Sequence, residues 1–285
     1  MFNDAKGKVI VVDYSIFSHQ SIHVYAKLFL DRQTNPKVFV SPSDVICLTS
    51  IISTLCKVGV TKDDIIIFAI DNRLGSWRKQ YKTEYKSDRK DSRDKLEAEI
   101  PGFKWSVEFP KINGLLERLR TKAPINVVDV PNMEADDIAA VASKYFSDRQ
   151  VILISSDSDW EAMFHYDNVR IVSPKKKDYP YKIKPANFNV WKKIAKEITS
   201  KTHNNLGSEV ASAHDYEVKK LIIDLINLPP EITEPITAAL AKCHSDHSGN
   251  YNEIRTYCNR WDSIYDTKKV ISYEKCVKHF LKGKK

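Results

Sequence analysis

The chain has 285 residues, of which 45 are lysine or arginine and 37 are aspartate or glutamate, giving a formal charge of +8 and a pI near 9.0. This length allows a full hydrophobic core in one or two domains. The apolar runs are far shorter than the roughly 18 residues of a membrane helix, and the polar start does not resemble a signal peptide. The five unevenly spaced cysteines do not form a disulfide framework and suit a reducing compartment. We therefore expect a cytoplasmic protein with no membrane partner.

Strand-like and helical patterns alternate through the first half of the chain. Short runs rich in β-branched residues predict strands at residues 8–12, 64–70, 125–130 and 151–154. Apolar residues spaced by three and four predict helices between them, at residues 43–58, 76–95, 112–119 and 138–146. This alternation predicts an α/β fold with a mainly parallel central sheet flanked by helices.

The strand signals stop near residue 184. Helical patterns follow at residues 186–200, 209–226, 232–243, 250–260 and 270–281. We therefore predict an α/β domain over residues 1–183 and a smaller helical C-terminal region over residues 184–285.

Acidic residues follow all four predicted strands, where each strand ends or shortly after it. They are Asp13, Asp71, Glu134, Asp136, Asp137, Asp157 and Asp159. Because the carboxyl ends of parallel strands meet at one edge of the sheet, these carboxylates are expected to converge there. Carboxylates held close together repel one another, and an all-oxygen donor set suits one or two Mg²⁺ or Mn²⁺ ions. Two such ions are the usual apparatus for phosphodiester hydrolysis. Any one of these acids is, taken alone, more commonly a helix cap or a turn residue, and Asp137 in particular is placed to cap its own helix.

A basic segment follows the second strand. Residues 73–95 hold nine lysines or arginines and four acids. At helical spacing one face carries Arg78, Lys82, Lys86, Arg89 and Arg93, and Trp77, Tyr81 and Tyr85 run beside it. Together with Arg73, this pattern predicts binding of a phosphate backbone and stacking on unpaired bases. A solvated, salt-bridged helix is the alternative interpretation.

Several motifs resemble the PIN-like 5′-nuclease (flap endonuclease) family. They are DYS at 13–15, IDNRLGSWRKQYKTEYKSDR at 70–89, MEADDIAA at 133–140 and ISSDSDWEAMFHYDNVRIVSP at 154–174. Their order makes the resemblance specific over residues 8–183, and a weaker likeness appears at 221–232. The resemblance implies metal ligation by Asp13, Asp71, Glu134, Asp136, Asp157 and Asp159, with Asp137 nearby.

The resemblance also implies that the basic segment is an arch over the site through which a 5′ strand passes. Family members cleave 5′ ends and flaps of RNA or DNA, which implies ribonuclease H-like primer removal in replication. A single-stranded-DNA-binding protein is the implied protein partner, and we expect a monomer, in the host cytoplasm if the chain is phage-encoded.

The chain departs from the family pattern after residue 181. Family members carry a further acid in a G-D-x-x-D-N segment, followed by a glycine-rich helix–turn–helix that grips duplex DNA. Beyond residue 114 the glycines here are only Gly207, Gly249 and Gly283, and no such segment is present. The second metal site therefore lacks one ligand unless Glu209, Asp215 or Glu217 replaces it, and duplex DNA is held elsewhere or more weakly.

The sequence therefore predicts a Mg²⁺-dependent 5′-nuclease acting on RNA or DNA. Asp13, Asp71, Glu134 and Asp136 are expected to hold one ion, and Asp157 and Asp159 the other. Two alternatives stay open: a non-catalytic nucleic-acid-binding replication accessory protein, and a PIN-type endoribonuclease that cuts single-stranded RNA internally.

Overall fold

The computed structural model describes residues 7–38, 40–61, 63–83, 85–86, 89–174, 181–182, 184–199, 210 and 212–245. The helices predicted at 250–260 and 270–281 lie outside these residues. No helix in the described ranges has the length and apolar character needed to span a membrane.

One six-stranded sheet forms the centre of the molecule. Its strands are β1 (Val9–Asp13), β2 (Ile65–Ala69), β3 (Asn126–Val128), β4 (Val151–Ile154), β5 (Val169–Val172) and β6 (Tyr181–Lys182). Their order is β3-β2-β1-β4-β5-β6, and every neighbouring pair is parallel except β5 and β6. The predicted α/β class with a mainly parallel sheet is confirmed. The strand pair β5–β6 was not predicted, because the exposed Arg170 interrupts the short apolar run of β5.

Helices cover both faces of the sheet. They are α1 (Tyr14–Thr34), α2 (Ser43–Lys57), α3 (Arg89–Glu99), α4 (Trp105–Lys122), α5 (Ala135–Tyr145), α6 (Val190–Thr199), α7 (Ala213–Ile223) and α8 (Pro230–Leu240). Two short 3₁₀ helices lie at Trp77–Gln80 and Asp159–His165.

The alternating side chains of β1 divide the core into two layers. Val9 and Val11 pack into a cluster that includes residues of α5, α6 and α8. Ile10 and Val12 point the other way, into a cluster with residues of α1, α2 and α4. Residues of α6 and α8 thus share a buried cluster with the sheet, and the predicted domain boundary near residue 183 stays a prediction.

Two helices differ from the sequence prediction because their patterns are irregular. The pattern gave no helix over α1, whose apolar residues lie on more than one side: Phe17 is buried, whereas Val24 and Leu30 are exposed. Helix α4 is longer than the predicted 112–119 and contains Pro110, which removes a backbone donor and is unusual in a helix interior.

The predicted continuous helix over residues 76–95 is wrong. The chain forms a 3₁₀ helix at Trp77–Gln80, then turns, and α3 begins at Arg89. Lys86 adopts φ +60°, in the left-handed region that a continuous α-helix excludes. The basic residues of this segment therefore do not share one helical face.

Candidate metal and nucleic-acid site

Strand register brings the acids to one edge of the sheet. Asp13 pairs with Ala69 across β1 and β2, so Asp71 lies two residues beyond that pair. On the other side Val12 pairs with Ile154 of β4, so Ser155 follows beside Asp13 and Asp157 lies two residues further. The strand ends thus meet at the carboxyl edge, where ligands of parallel α/β sheets bind.

Asp13 is buried at the centre of this edge. Its Oδ1 accepts hydrogen bonds from the Ser15 hydroxyl at 2.7 Å and from the Ile16 backbone amide at 3.3 Å. Its Oδ2 accepts from the Ser155 hydroxyl at 3.1 Å. Burial, followed by repulsion from Asp71, raises the pKa of Asp13 to about 7 in spite of these hydrogen bonds. Asp13 is therefore the N-cap of α1, and its ionised form is destabilised by burial and by the charge of Asp71.

Asp71 and Asp136 both lie at the start of α5. Asp71 Oδ1 accepts a hydrogen bond from the Ala135 backbone amide at 2.9 Å, and Asp136 Oδ1 accepts from the Trp160 indole at 2.6 Å. Burial raises the pKa of Asp136 well above its ordinary value. Lys86 opposes this, whereas Asp157, Glu134 and Asp71 add to it. Acids from the segment after β2, the start of α5 and the segment after β4 are thus close enough to influence one another.

Glu134 is the N-cap of α5 and is held by cations. Its Oε2 accepts from Arg78 Nη1 at 2.7 Å and from the Tyr85 hydroxyl at 3.2 Å, and its Oε1 accepts from Lys86 Nζ. Burial raises the pKa of Glu134, but Arg78 and Lys86 outweigh burial and leave that pKa below its ordinary value. Glu134 is thus an ionised carboxylate with a lysine ammonium against its Oε1.

Asp137 differs from the other predicted site acids because protein donors hold both of its carboxylate oxygens, and its part in catalysis stays a prediction. It is fully buried, and its oxygens accept hydrogen bonds from the Trp77 indole at 3.0 Å, from two nitrogens of Arg78 at 2.7 and 3.1 Å, and from the Glu134 backbone amide at 2.9 Å. Together Asp137 and Glu134 form the capping box of α5. Asp137 acts as the buried counter-ion that positions Arg78 and, through it, Glu134.

Asp157 and Asp159 lie on the turn after β4. The Asp159 backbone amide donates to Asp157 Oδ1 at 3.0 Å, and the Asp157 amide donates to the Ser155 hydroxyl at 3.0 Å. Asp159 then begins the second 3₁₀ helix. Ser156, in the same turn, has a buried hydroxyl with no hydrogen-bond partner.

Three of the residues predicted to contact nucleic acid are buried instead. Trp77 and Arg78 bind Asp137, and Tyr85 donates to Glu134 and packs against Ile222 of α7. Buried carboxylates attract these polar groups inward, and direct contact of the three residues with a strand stays a prediction.

The other predicted contact residues differ in exposure. Arg73 is exposed and Lys82 is half-buried. Arg93 lies over the Phe109 ring at 5.2 Å, while Arg89 begins α3 with a side chain outside the described set. A nucleic-acid role for Arg73, Lys82, Lys86, Arg89 and Arg93 stays a prediction.

The acids considered as replacements for the missing ligand are engaged elsewhere. Asp215 pairs with the buried Lys219 at 3.2 Å, and Glu217 lies 4.0 Å from Lys220 on the surface of α7. Glu209 lies outside the described residues. Asp224, in the segment that weakly resembles the family, accepts bonds from the turn that follows it.

The donor set fits hard divalent cations, although the described residues form no preformed cage. Within the described part of the chain no three His, Cys, Asp or Glu side chains are arranged to enclose a metal ion. The predicted ligands nevertheless offer only oxygen atoms, which hard divalent cations prefer. A bound cation would also reduce the repulsion between Asp13 and Asp71 and would give the buried Ser156 hydroxyl a partner. We therefore consider the residues compatible with Mg²⁺ or Mn²⁺.

Sequence reasoning missed three residues that hold the carboxylates in place. Ser15 and Ser155 donate to Asp13, and Trp160 donates to Asp136. Each lies within two residues of a predicted ligand, which is the one signal the sequence offered.

The fold and the acidic sheet edge define a PIN-like α/β protein of the 5′-nuclease class. Residues 8–193 match the family model described as 5′-3′ exonuclease, N-terminal resolvase-like domain, and the chain belongs to that family.

The chain is 29% identical over 182 residues to ribonuclease H of Enterobacteria phage T4, a match covering 62% of this chain and 55% of that protein. The fold is similar to that of a T5 protein co-crystallised with metal ions, with a TM-score of 0.50, 17% identity, and coverage of 96% of this chain and 98% of that chain. It is also similar to a bacteriophage T5 flap endonuclease in a pseudo-enzyme-product complex with DNA and metal ions, with a TM-score of 0.50, 18% identity and the same coverage.

Proposed function

We propose that this chain is a divalent-metal-dependent 5′-nuclease that hydrolyses phosphodiester bonds of RNA or DNA at 5′ ends or flaps. The proposal includes ribonuclease H-like primer removal during replication, with Mg²⁺ or Mn²⁺ as the cofactor. It is supported by membership of the family and by the phage ribonuclease H that resembles the chain.

One observation carries the proposal. Asp13, Asp71, Asp136 and Asp157 come from three strand ends and one helix start, yet they perturb one another electrostatically. Such mutual repulsion is costly in a folded protein and is retained where a function requires it. Acids that served only as helix caps and turn residues would not need to lie close enough to repel one another.

Bound divalent cations would supply an activated water and stabilise charge on the attacking and leaving oxygens. Asp13, Asp71, Glu134 and Asp136 would hold one ion, and Asp157 and Asp159 the other. The protein's own part is positional: Ser15 and Ser155 fix the Asp13 carboxylate, and Trp160 fixes Asp136. Lys86, half-buried beside Glu134, supplies a positive charge at the edge where a scissile phosphate would lie.

A cleavage assay tests the proposal. Wild type and the variants Asp71→Asn and Asp157→Asn are incubated with labelled 5′-flap and nicked RNA–DNA duplexes in Mg²⁺, Mn²⁺ or EDTA. We expect metal-dependent products from wild type, and loss of cleavage with retained substrate binding in both variants. Asp31→Asn, an exposed acid late in α1, is the matched control and is expected to cleave normally. Wild-type rates in both site variants would contradict the proposal.

The same assay separates the two alternatives. The absence of the later family acid, with Asp215 occupied by Lys219, favours a non-catalytic nucleic-acid-binding protein. That alternative predicts tight binding and no metal-dependent product. Internal cuts in single-stranded RNA would instead indicate a PIN-type endoribonuclease. A single-stranded-DNA-binding protein as partner and a monomeric state remain part of the proposal, to be tested by pull-down and by light scattering.

A further inference from the structure

Helix α6 presents a basic and aromatic face to solvent. Val190, Ile194 and Ile198 are buried against the core, whereas Trp191, Lys192, Ala195, Lys196 and Thr199 form the exposed face. Trp191 is 49% exposed, while the other tryptophans of the described residues, Trp77, Trp105 and Trp160, are buried. An exposed indole beside lysines is therefore unusual among the described residues.

The surrounding acids are already neutralised. Glu161 pairs with Lys182 at 3.0 Å and Asp167 with Lys184 at 3.0 Å. On the flank of α6 itself, Glu197 pairs with Lys193. Lys192 and Lys196 form none of the ion pairs found among the described residues, and each is exposed. The α6 face thus carries a net positive charge.

An aromatic contact connects this face to the acidic edge. The Trp191 ring lies 6.0 Å from the exposed His165 ring, at an interplanar angle of 62°. His165 ends the 3₁₀ helix that begins at Asp159. At roughly 2 Å per residue that helix spans about 12 Å, a distance that a few nucleotides of a strand can bridge. Trp160, in the first turn of the same helix, donates to Asp136.

We propose that the exposed face of α6 (Trp191, Lys192 and Lys196, with His165) is a binding site for an unpaired stretch of nucleic acid next to the acidic edge. The inference rests on the proposed function and adds to it a second contact surface for the substrate. Lysines one helical turn apart bind successive phosphates, and the indole stacks on a base. This combination is typical of surfaces that bind single strands without sequence preference.

The chemistry favours a single strand over a duplex. Bases in a duplex are stacked on one another and offer no free face to an indole, whereas an unpaired base does. The pair of lysines supplies the sequence-independent, salt-sensitive part of the affinity. The α6 face also offers a contact that does not depend on the duplex-gripping motif that the sequence lacks.

The first test measures binding of a fluorescent oligothymidylate and of a blunt duplex in EDTA, so that no cleavage occurs. For the double variant Lys192→Glu/Lys196→Glu we expect a Kd for the single strand about tenfold higher or more. We also expect the slope of log K against log salt to shrink by about 1.4, which corresponds to two lost phosphate contacts on a single strand. Trp191→Ala should raise the Kd about fivefold or more.

The second test uses the fluorescence of Trp191, which lies on the exposed face of α6. Addition of the oligothymidylate should quench the tryptophan fluorescence of wild type, and this quenching should be absent in Trp191→Phe. The double variant Lys27→Glu/Arg32→Glu, on the exposed side of α1, is the matched control for charge and should bind as wild type. Circular dichroism checks that each variant is folded, and the conservative aromatic change Trp191→Phe guards against a folding defect.

Wild-type affinity and salt dependence in the α6 variants would overturn the proposal, and so would a loss confined to the blunt duplex. Failure of the proposed function is distinguishable from this outcome. A wild type that binds through α6 but cleaves no 5′ substrate would refute the nuclease activity alone. A wild type that cleaves, with α6 variants that bind normally, would refute the α6 site alone.

Discussion

Replacement of Asp13 by Asn should stabilise the metal-free protein at alkaline pH. Asp13 is buried, and burial together with Asp71 raises its pKa to about 7 from an ordinary value of 3.8. Asparagine removes the buried charge and preserves the local hydrogen bonds. Its Oδ1 still accepts from Ser15 and Ile16, and its amide donates to Ser155, whose hydroxyl both donates and accepts.

The magnitude follows from the two pKa values. Below about pH 4 the carboxyl is protonated in both the folded and the unfolded chain, so it has no effect on stability. Between pH 4 and 7 the unfolded chain loses the proton while the folded chain keeps it, so the free energy of unfolding falls as pH rises. Each pKa unit corresponds to about 1.4 kcal/mol, so the loss reaches about 4 kcal/mol above pH 7. Asp13→Asn should recover that amount at pH 8 and almost nothing at pH 4.

Urea denaturation in EDTA at pH 4, 6 and 8, followed by circular dichroism, measures the difference. Asp31→Asn, at an exposed position, is the control and should change the free energy of unfolding by less than about 0.5 kcal/mol at every pH. An Asp13→Asn variant that is equally stable or less stable than wild type at pH 8, or whose effect is the same at all three pH values, would refute the reasoning.

Two further predictions concern the cations that hold Glu134. Arg78→Ala leaves Asp137 buried without its partner, so the free energy of unfolding should fall by about 3 to 5 kcal/mol in urea denaturation. The exposed Arg73→Ala is the control, and a fall below 1 kcal/mol would show that the buried pair does not matter. Lys86→Gln removes the ammonium that pairs with Glu134 and that would compete with a metal ion bound there. Mn²⁺ affinity, followed by electron paramagnetic resonance, should then rise about tenfold, since a charged hydrogen bond contributes about 1.5 kcal/mol. An unchanged or weaker affinity would show that Lys86 and the cation do not compete.

Much of the fold could be predicted because strongly periodic segments are buried on a consistent face. Strand β4 has the predicted bounds, and helix α2 ends one residue earlier than predicted. Helix α1 was missed because its apolar residues do not form one stripe. The helical spacing of the basic segment predicts a continuous helix. Spacing alone cannot predict that Arg78 pairs with the buried carboxylates of Glu134 and Asp137, which lie far along the chain.

The convergence of the acids could be predicted for a similar reason, whereas their role as metal ligands stays a prediction. That the acids follow strands is visible in the sequence, and the parallel topology then places them together. The sequence placed Asp137 to cap its own helix, but it did not indicate what either Asp137 or Asp136 contacts. One turns inward to Arg78 and the other toward the Trp160 indole.

The sequence by itself therefore determined the α/β class, the strand ends that carry acids, and the excess of basic residues, because these depend on periodicity and composition. The tertiary structure decided which charges face solvent. It placed Arg78 in the interior and left Lys192 and Lys196 exposed on α6. The physical reason is that a cation's location depends on where the nearest carboxylate lies after folding. For Arg78 that carboxylate belongs to Asp137, which lies 59 positions away along the chain. A local sequence pattern cannot predict a contact over that separation.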